Sequence, residues 1–205
     1  MTRLHASELC QAYNRRYIFK GVNLEVTPET PTVILGANGS GKSTLLKTLA
    51  GALMPFEGSV SLTIDGLEVE ELHARIALAA PYLELIEEYT LREFLSFCSE
   101  LRPWKSGWDN EKIIQLAYLE EAADRELKYF SSGMKQRVRL VFAALADTPV
   151  LLLDEPTSNL DRKGIDWYVK LMDEHRKNRI VIVASNENQE EYYFCDQQLR
   201  IEDYK

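Results

Sequence analysis

The stretch "TVILGANGSGKSTLLKTLAG", Thr32 to Gly51, runs from four β-branched or apolar residues into a glycine-rich turn and on into a helix-forming segment. The pattern GxxxxGK[ST] within it arises by accident in roughly one chain of this length in a hundred, and requiring a strand before it and a helix after it lowers that further. Glycines at 36, 39 and 41 let the backbone curl so that successive amide N–H groups converge on an anion. The helix that begins there adds the positive end of its dipole at the same point. Gly36, Ala37, Asn38, Gly39, Ser40, Gly41, Lys42, Ser43 and Thr44 are therefore expected to cradle phosphate, with Lys42 reaching the outer phosphates of a nucleotide and the Ser43 hydroxyl a magnesium ion.

Working outward, strand-like runs occur at 21–26, 59–66, 75–80, 149–155 and 179–185 as well as at 32–36. Three of them, "TVILG", "PVLLLDE" and "RIVIVAS", are apolar on consecutive residues, the pattern of strands covered on both faces in a parallel sheet. Helical segments are predicted from Gly41, Thr90, Asn110, Ser131 and Asp161, the second with a cap-like Thr90 and Glu93 three residues on. The spacing predicts an α/β fold, a mixed sheet flanked by helices, filling residues 1–205 as one unit. The block from about 84 to 130 has little strand signal and reads as an inserted helical subdomain. "LRPWKSGWDN" at 101–110 reads as a surface connection.

The run "VLLLDEPTSNLD" carries four apolar residues into Asp154 and Glu155. Two adjacent carboxylates at the mouth of a buried strand are costly without a use. Beside a phosphate loop, Asp154 is placed to hold magnesium and Glu155 to orient and partly deprotonate an attacking water.

Bulk properties narrow the function. A formal charge of −8 argues against a large nucleic-acid footprint. Three cysteines, Cys10, Cys98 and Cys195, lack CxxC spacing and suggest neither a disulfide framework nor a zinc site. No segment reaches the roughly 18 uninterrupted apolar residues of a membrane span, and the start lacks a signal-peptide core, so a soluble cytoplasmic protein is expected.

Together these residues resemble the ATP-binding cassette (ABC) family of phosphate-loop (P-loop) NTPases, the nucleotide-binding subunits of ABC transporters, over nearly the whole chain. "GANGSGKST" is similar to Walker A, "LLLDEP" to Walker B, and "SNLD" at 158–161 to the D-loop. "FSSGM" at 130–134, about 20 residues upstream of Walker B, resembles the family signature, with Ser131 and Gly133 at its Ser and second Gly. The resemblance implies an Mg²⁺-dependent ATPase in which the phosphate loop of one cassette and the signature of a second enclose the same ATP. It also implies a separate transmembrane permease that keeps the protein at the inner face of the membrane. It assigns Tyr13 to stacking on adenine, with Tyr17 competing, and makes Asp161 a site residue. Lys135, Arg137 and Arg139 are expected on a solvated or ion-paired face. At this length the chain resembles the short stand-alone cassettes, such as that of the cytochrome c maturation exporter.

Two departures stand out. The family's Gln ahead of the helical insertion is missing: no Gln occurs from Leu45 to Ile114, and Tyr82 or a neighbour such as Glu84 takes its place. Where the family carries a His after the last buried strand, "VIVASNEN" presents Ser185 and Asn186. Asn186 can donate to a phosphate oxygen but cannot carry charge. Losing a charge-assisted hydrogen bond of about 1.5–3 kcal/mol corresponds to about 10–150-fold in rate, so slow hydrolysis is expected. The same motifs also fit a degenerate nucleotide-binding module with little turnover, or a soluble cassette ATPase of the cluster-assembly type.

Overall fold

A computed structural model describes all of residues 1–205. Its elements run β1 (Arg3–Tyr13), β2 (Arg16–Val26), β3 (Thr32–Leu35), α1 (Lys42–Leu49), β4 (Glu57–Ile64), β5 (Leu67–Glu68), β6 (Ile76–Ala79), α2 (Leu91–Leu101) and α3 (Asn110–Leu116). They continue α4 (Ser132–Leu145), β7 (Val150–Asp154), α5 (Arg162–His175), β8 (Ile180–Ser185), α6 (Gln189–Tyr192) and β9 (Gln197–Arg200), ending in a 3-10 turn at Ile201–Tyr204. The chain divides into two units, the first made of Met1–Leu78, Thr148–Glu155 and Arg176–Lys205, the second of Ala79–Asp147 and Pro156–His175. The stretch 84–130 falls within the second.

The first unit holds the strands as two sheets, a four-stranded one in the order β2-β1-β4-β5 and a five-stranded one in the order β6-β7-β8-β3-β9. β1 pairs antiparallel with β2 and β4, whereas β7–β8, β8–β3 and β3–β9 are parallel pairs. Every residue of β3, β7 and β8 is buried, as continuous apolar runs in a two-sided parallel sheet must be. From these strands Ile34, Val150, Leu152, Ile180, Ile182 and Ala184 join Leu45, Leu46 and Leu49 of α1 and Leu4, Phe19 and Leu62 from the antiparallel strands in one apolar cluster.

Strands β1, β5 and β9 have no counterpart among the predicted ones. β1 is eleven residues long, but its alternation breaks at a bulge between Ala6 and Leu9, where Glu8 has φ 48°. Gly58 sits against that bulge: a Cβ there would lie 2.4 Å from the carbonyl oxygens of Ser7 and Glu8. β9 buries only Leu199, too little apolar signal to read.

In the second unit, the Thr90 hydroxyl accepts from the Glu93 N–H and the Glu93 carboxylate accepts from the Thr90 N–H, the reciprocal cap expected for α2. Those bonds hold the Glu93 carboxyl below the usual carboxylate range. The loose-looking stretch 101–110 is tied down. Trp104 Nε1 donates to Asn110, and Lys105 donates its backbone N–H to Leu145 O and its ammonium to His175 O. Burial pushes the thiols of Cys98 and Cys195 up to about 12, so neither is a thiolate at neutral pH.

Ile182, in the middle of β8, is fully buried in the apolar cluster. Ile182→Ala is expected to destabilise the protein by about 2–5 kcal/mol in urea unfolding, and a change under about 1 kcal/mol would show the cluster to be loosely packed.

Candidate active site

The parallel register delivers the site. Leu35 at the end of β3 pairs with Ser185 at the end of β8, and Asp154 at the end of β7 pairs with Ala184. The next residues in each case leave the sheet on the same edge. After β3 the loop curls through Gly36–Gly41 into α1, whose N-terminal Gly41 is left-handed and whose first turn has no side-chain cap. Its free N–H groups are thus available to an anion. A cavity of about 410 Å³ is lined by Asn38, Gly39, Ser40, Gly41, Lys42, Ser43, Thr44 and Glu155, with Tyr17, Ile18 and Lys205. That volume lies within the range of small-molecule sites.

Lys42 is 4% exposed, and its ammonium donates to Gly36 O at 2.8 Å and Ala37 O at 3.1 Å. It also stands 3.8 Å from Glu155 Oε1. The loop's own carbonyls and one carboxylate therefore stabilise a buried positive charge. Glu155 adopts φ 42°, a left-handed conformation uncommon for a residue with a side chain, and its N–H donates to Ala184 O at 2.9 Å. Asp154, one residue earlier, is 1% exposed.

The Ser-Asn pair splits into two roles. Ser185 is fully buried; its hydroxyl donates to Glu191 Oε2 at 2.5 Å and accepts the Asn188 N–H at 3.2 Å, fixing the turn into α6. Asn186 is exposed, and it is absent from the residues lining the cavity that holds Lys42 and Glu155.

The second unit gathers the signature and D-loop residues. Ser131 caps α4, its hydroxyl accepting the Met134 N–H. Gly133 stands so close to the 158–161 backbone that a Cβ would fall 3.0 Å from Asn159 O. Asp161 accepts the Gly164 N–H at 2.8 Å and so caps α5. Ser131, Gly133 and Asp161 line a cavity of about 990 Å³ together with Tyr118, Arg125 and Arg137. On α4, Lys135 pairs with Glu87, as expected of an ion-paired face. Arg137, half-buried on the cavity wall, makes no ion pair there: its guanidinium lies over the rings of Tyr118 and Trp167 and donates to Ala117 O. Arg139 donates to Leu83 O, with its charge partly desolvated. Tyr82 and Glu84 are both exposed.

Of the two aromatic candidates, Tyr17 lines the phosphate-loop cavity and Tyr13 does not. Tyr13 is 54% exposed at the end of β1. Tyr17 is propped edge-on against Phe56 at 5.9 Å, and its hydroxyl donates to Glu57. Sequence reasoning missed Phe56, Glu202 and Lys205 near this site, because the partner of each is more than 35 positions away in the chain.

With the geometry established, comparison with known proteins is specific. Residues 19–158 match the sequence profile of the family described as ABC transporter. The chain is 33% identical over 198 residues to an uncharacterised ABC transporter ATP-binding protein, YxlF, of Bacillus subtilis, covering 95% of this chain and 66% of that one, about two thirds of its length. It is 32% identical to the cytochrome c biogenesis ATP-binding export protein CcmA of Roseobacter denitrificans, covering 82% and 76% of the two chains. It is 35% identical to the zinc import ATP-binding protein ZnuC of Cereibacter sphaeroides, covering 86% and 68%. In fold it is similar to a putative ABC transporter ATP-binding protein of Pyrococcus furiosus, with TM-score 0.81 at 22% identity over 99% of both chains. It is also similar to the cassette MJ0796 in its dimeric structure, with TM-score 0.80 at 23% identity over 96% and 93%.

The split between Ser185 and Asn186 is testable by stability alone. Ser185→Ala, which strips a donor from a buried carboxylate, is expected to cost about 1–3 kcal/mol in urea unfolding. Asn186→Ala should stay within about 0.5 kcal/mol of wild type. Equal effects would erase the distinction.

Proposed function

The chain belongs to the ATP-binding cassette family, the nucleotide-binding subunits of ABC transporters, and on that premise we propose that it is a magnesium-dependent ATPase driving a separate membrane permease. The observation that carries the reading is the pairing of Lys42 and Glu155, 3.8 Å apart in a cavity walled by the phosphate loop. The Lys42 ammonium exchanges its hold on Gly36 O and Ala37 O for the outer phosphates, and α1 contributes its uncapped N–H groups. Released from Lys42, Glu155 accepts a proton from the attacking water.

Magnesium suits the donors present. Ser43 and Asp154 offer two hard oxygens, and no group of three His, Cys, Asp or Glu side chains is placed to hold a metal unaided. The ion would then share its shell with nucleotide phosphates, and when bound it supplies charge neutralisation to the phosphoryl group. Tyr17 supports the base from the cavity wall, in preference to Tyr13, since stacking needs only a ring face. Asn186 lies outside the lining of this cavity, so a role for it as an uncharged γ-phosphate sensor depends on the γ phosphate reaching the exposed end of β8.

Cassettes of this family dimerise. A second cassette, identical or different, brings its Ser131- and Gly133-type residues to the nucleotide held here, while Asp161 supports the D-loop. No helix is long and apolar enough to cross a membrane; in this reading a permease partner holds the subunit at the inner membrane face. The exposed placement of Asn186 favours one second reading, a nucleotide-binding module with negligible turnover.

Steady-state hydrolysis separates the two readings. Glu155→Gln is expected to lower kcat by about 10²–10⁴-fold while nucleotide still binds. Asn186→Ala should weaken turnover more than ATP binding, and Asn186→His should not lower it. If wild type and Glu155→Gln hydrolyse alike at background level, the second reading holds.

A further inference from the structure

The C-terminal turn meets the phosphate loop in an arrangement that no motif announces. Leu35 of β3 pairs with Arg200 of β9, so the chain leaving β9 arrives beside the start of the loop. There Ile201 is fully buried, and the Glu202 carboxylate accepts the Ala37 N–H at 2.8 Å. The Lys205 ammonium donates to Ser40 O at 2.5 Å and lines the phosphate cavity. The fit leaves no slack: a Cβ on Gly36 would fall 2.6 Å from Ile201 Cγ2, 2.6 Å from Ser40 Oγ and 2.8 Å from Glu202 Oε1. Glu202 Oε2 is buried and takes no hydrogen bond, so the carboxylate holds the loop through Oε1. The Ala37 N–H and the field of Lys42 are among the causes that keep the Glu202 carboxyl below the usual carboxylate range.

A phosphate loop without its anion points several N–H dipoles at one another, and left alone it relaxes into many conformations that nucleotide must later reorder. We infer that Glu202 and Lys205 are positioning residues that brace the loop in its phosphate-ready curl, so that nucleotide affinity depends on the C-terminal turn. The inference rests on the proposed nucleotide site and deepens it. Glu202 fixes the first amide after Gly36, Lys205 fixes the carbonyl four residues after Gly36, and the segment between them is held at both ends. The ordering cost is met during folding rather than on binding.

Fluorescence titration with methylanthraniloyl-ATP and Mg²⁺, beside kcat and KM on the whole chain, tests this. Glu202→Ala is expected to weaken Kd and raise KM about tenfold, the low end for a charge-assisted hydrogen bond, with kcat within about twofold. Glu202→Gln, whose amide oxygen still accepts the Ala37 N–H, should restore Kd to within about threefold of wild type. Asp203→Ala, exposed on the same turn, should leave Kd unchanged. Wild-type affinity in Glu202→Ala overturns the brace while leaving the nucleotide site intact. So does a Glu202→Gln as weak as Glu202→Ala with an equal fall in Tm, which would mark general unravelling of the turn. If wild type itself binds no nucleotide, brace and site fall together.

Discussion

A buried ammonium organises this protein's site. Lys42 is almost fully withdrawn from water, and a lone charge there would be prohibitive without compensation. Compensation comes from two carbonyls of the same loop and from Glu155, which another strand brings from far along the chain. The carbonyls face Lys42 only because the loop is curled, and the curl is set between β3 and α1. Glu155 faces it only because β7 lies beside β8 and the backbone turns left-handed at the strand's end. The charge these partners stabilise is the one we propose the outer phosphates of a nucleotide engage.

Much of this was legible in the sequence, for physical reasons that can be named. β3, β7 and β8 are wholly buried, so apart from Thr32, Asp154 and Ser185 at their ends every position is apolar and the strand declares itself without alternation. The phosphate loop is legible because glycine and lysine at fixed spacing have few other uses. The α2 cap is local chemistry across three residues and came out as read. What failed to show was non-local or irregular. β1 was hidden because a bulge resets its side-chain alternation at Glu8. The anchoring of 101–110 depends on Leu145, Ala146 and His175, far along the chain. Arg137 reads as a surface charge until Tyr118 and Trp167 are seen to flank it. Glu202 and Lys205 belong to no motif, and only the parallel pairing of β9 with β3 brings them to the loop.

The division of labour between neighbouring residues is sharpest at the end of β8. Ser185 and Asn186 are adjacent in sequence but serve opposite environments, one buried and satisfying a carboxylate, the other exposed at the sheet's edge. The strand's last inward residue closes the fold, and the next residue is left to solvent outside the cavity lining. The signature cavity in the second unit is similarly double. Ser131 and Asp161 cap helices, and those capping bonds also fix the loops to which we assign contact with a partner's nucleotide.

The central proposal is that ATP, and not ADP, joins two copies of this chain, the simpler of the two pairings proposed above, through the phosphate loop of one and the signature of the other. Sedimentation of purified Glu155→Gln with saturating Mg-ATP tests it most directly, because slowed hydrolysis leaves the γ phosphate in place. The account predicts a dimer with ATP, a monomer with ADP, and loss of the ATP dimer in Glu155→Gln carrying Gly133→Trp. A protein that stays monomeric with saturating ATP bound, or dimerises equally with ADP, would contradict it.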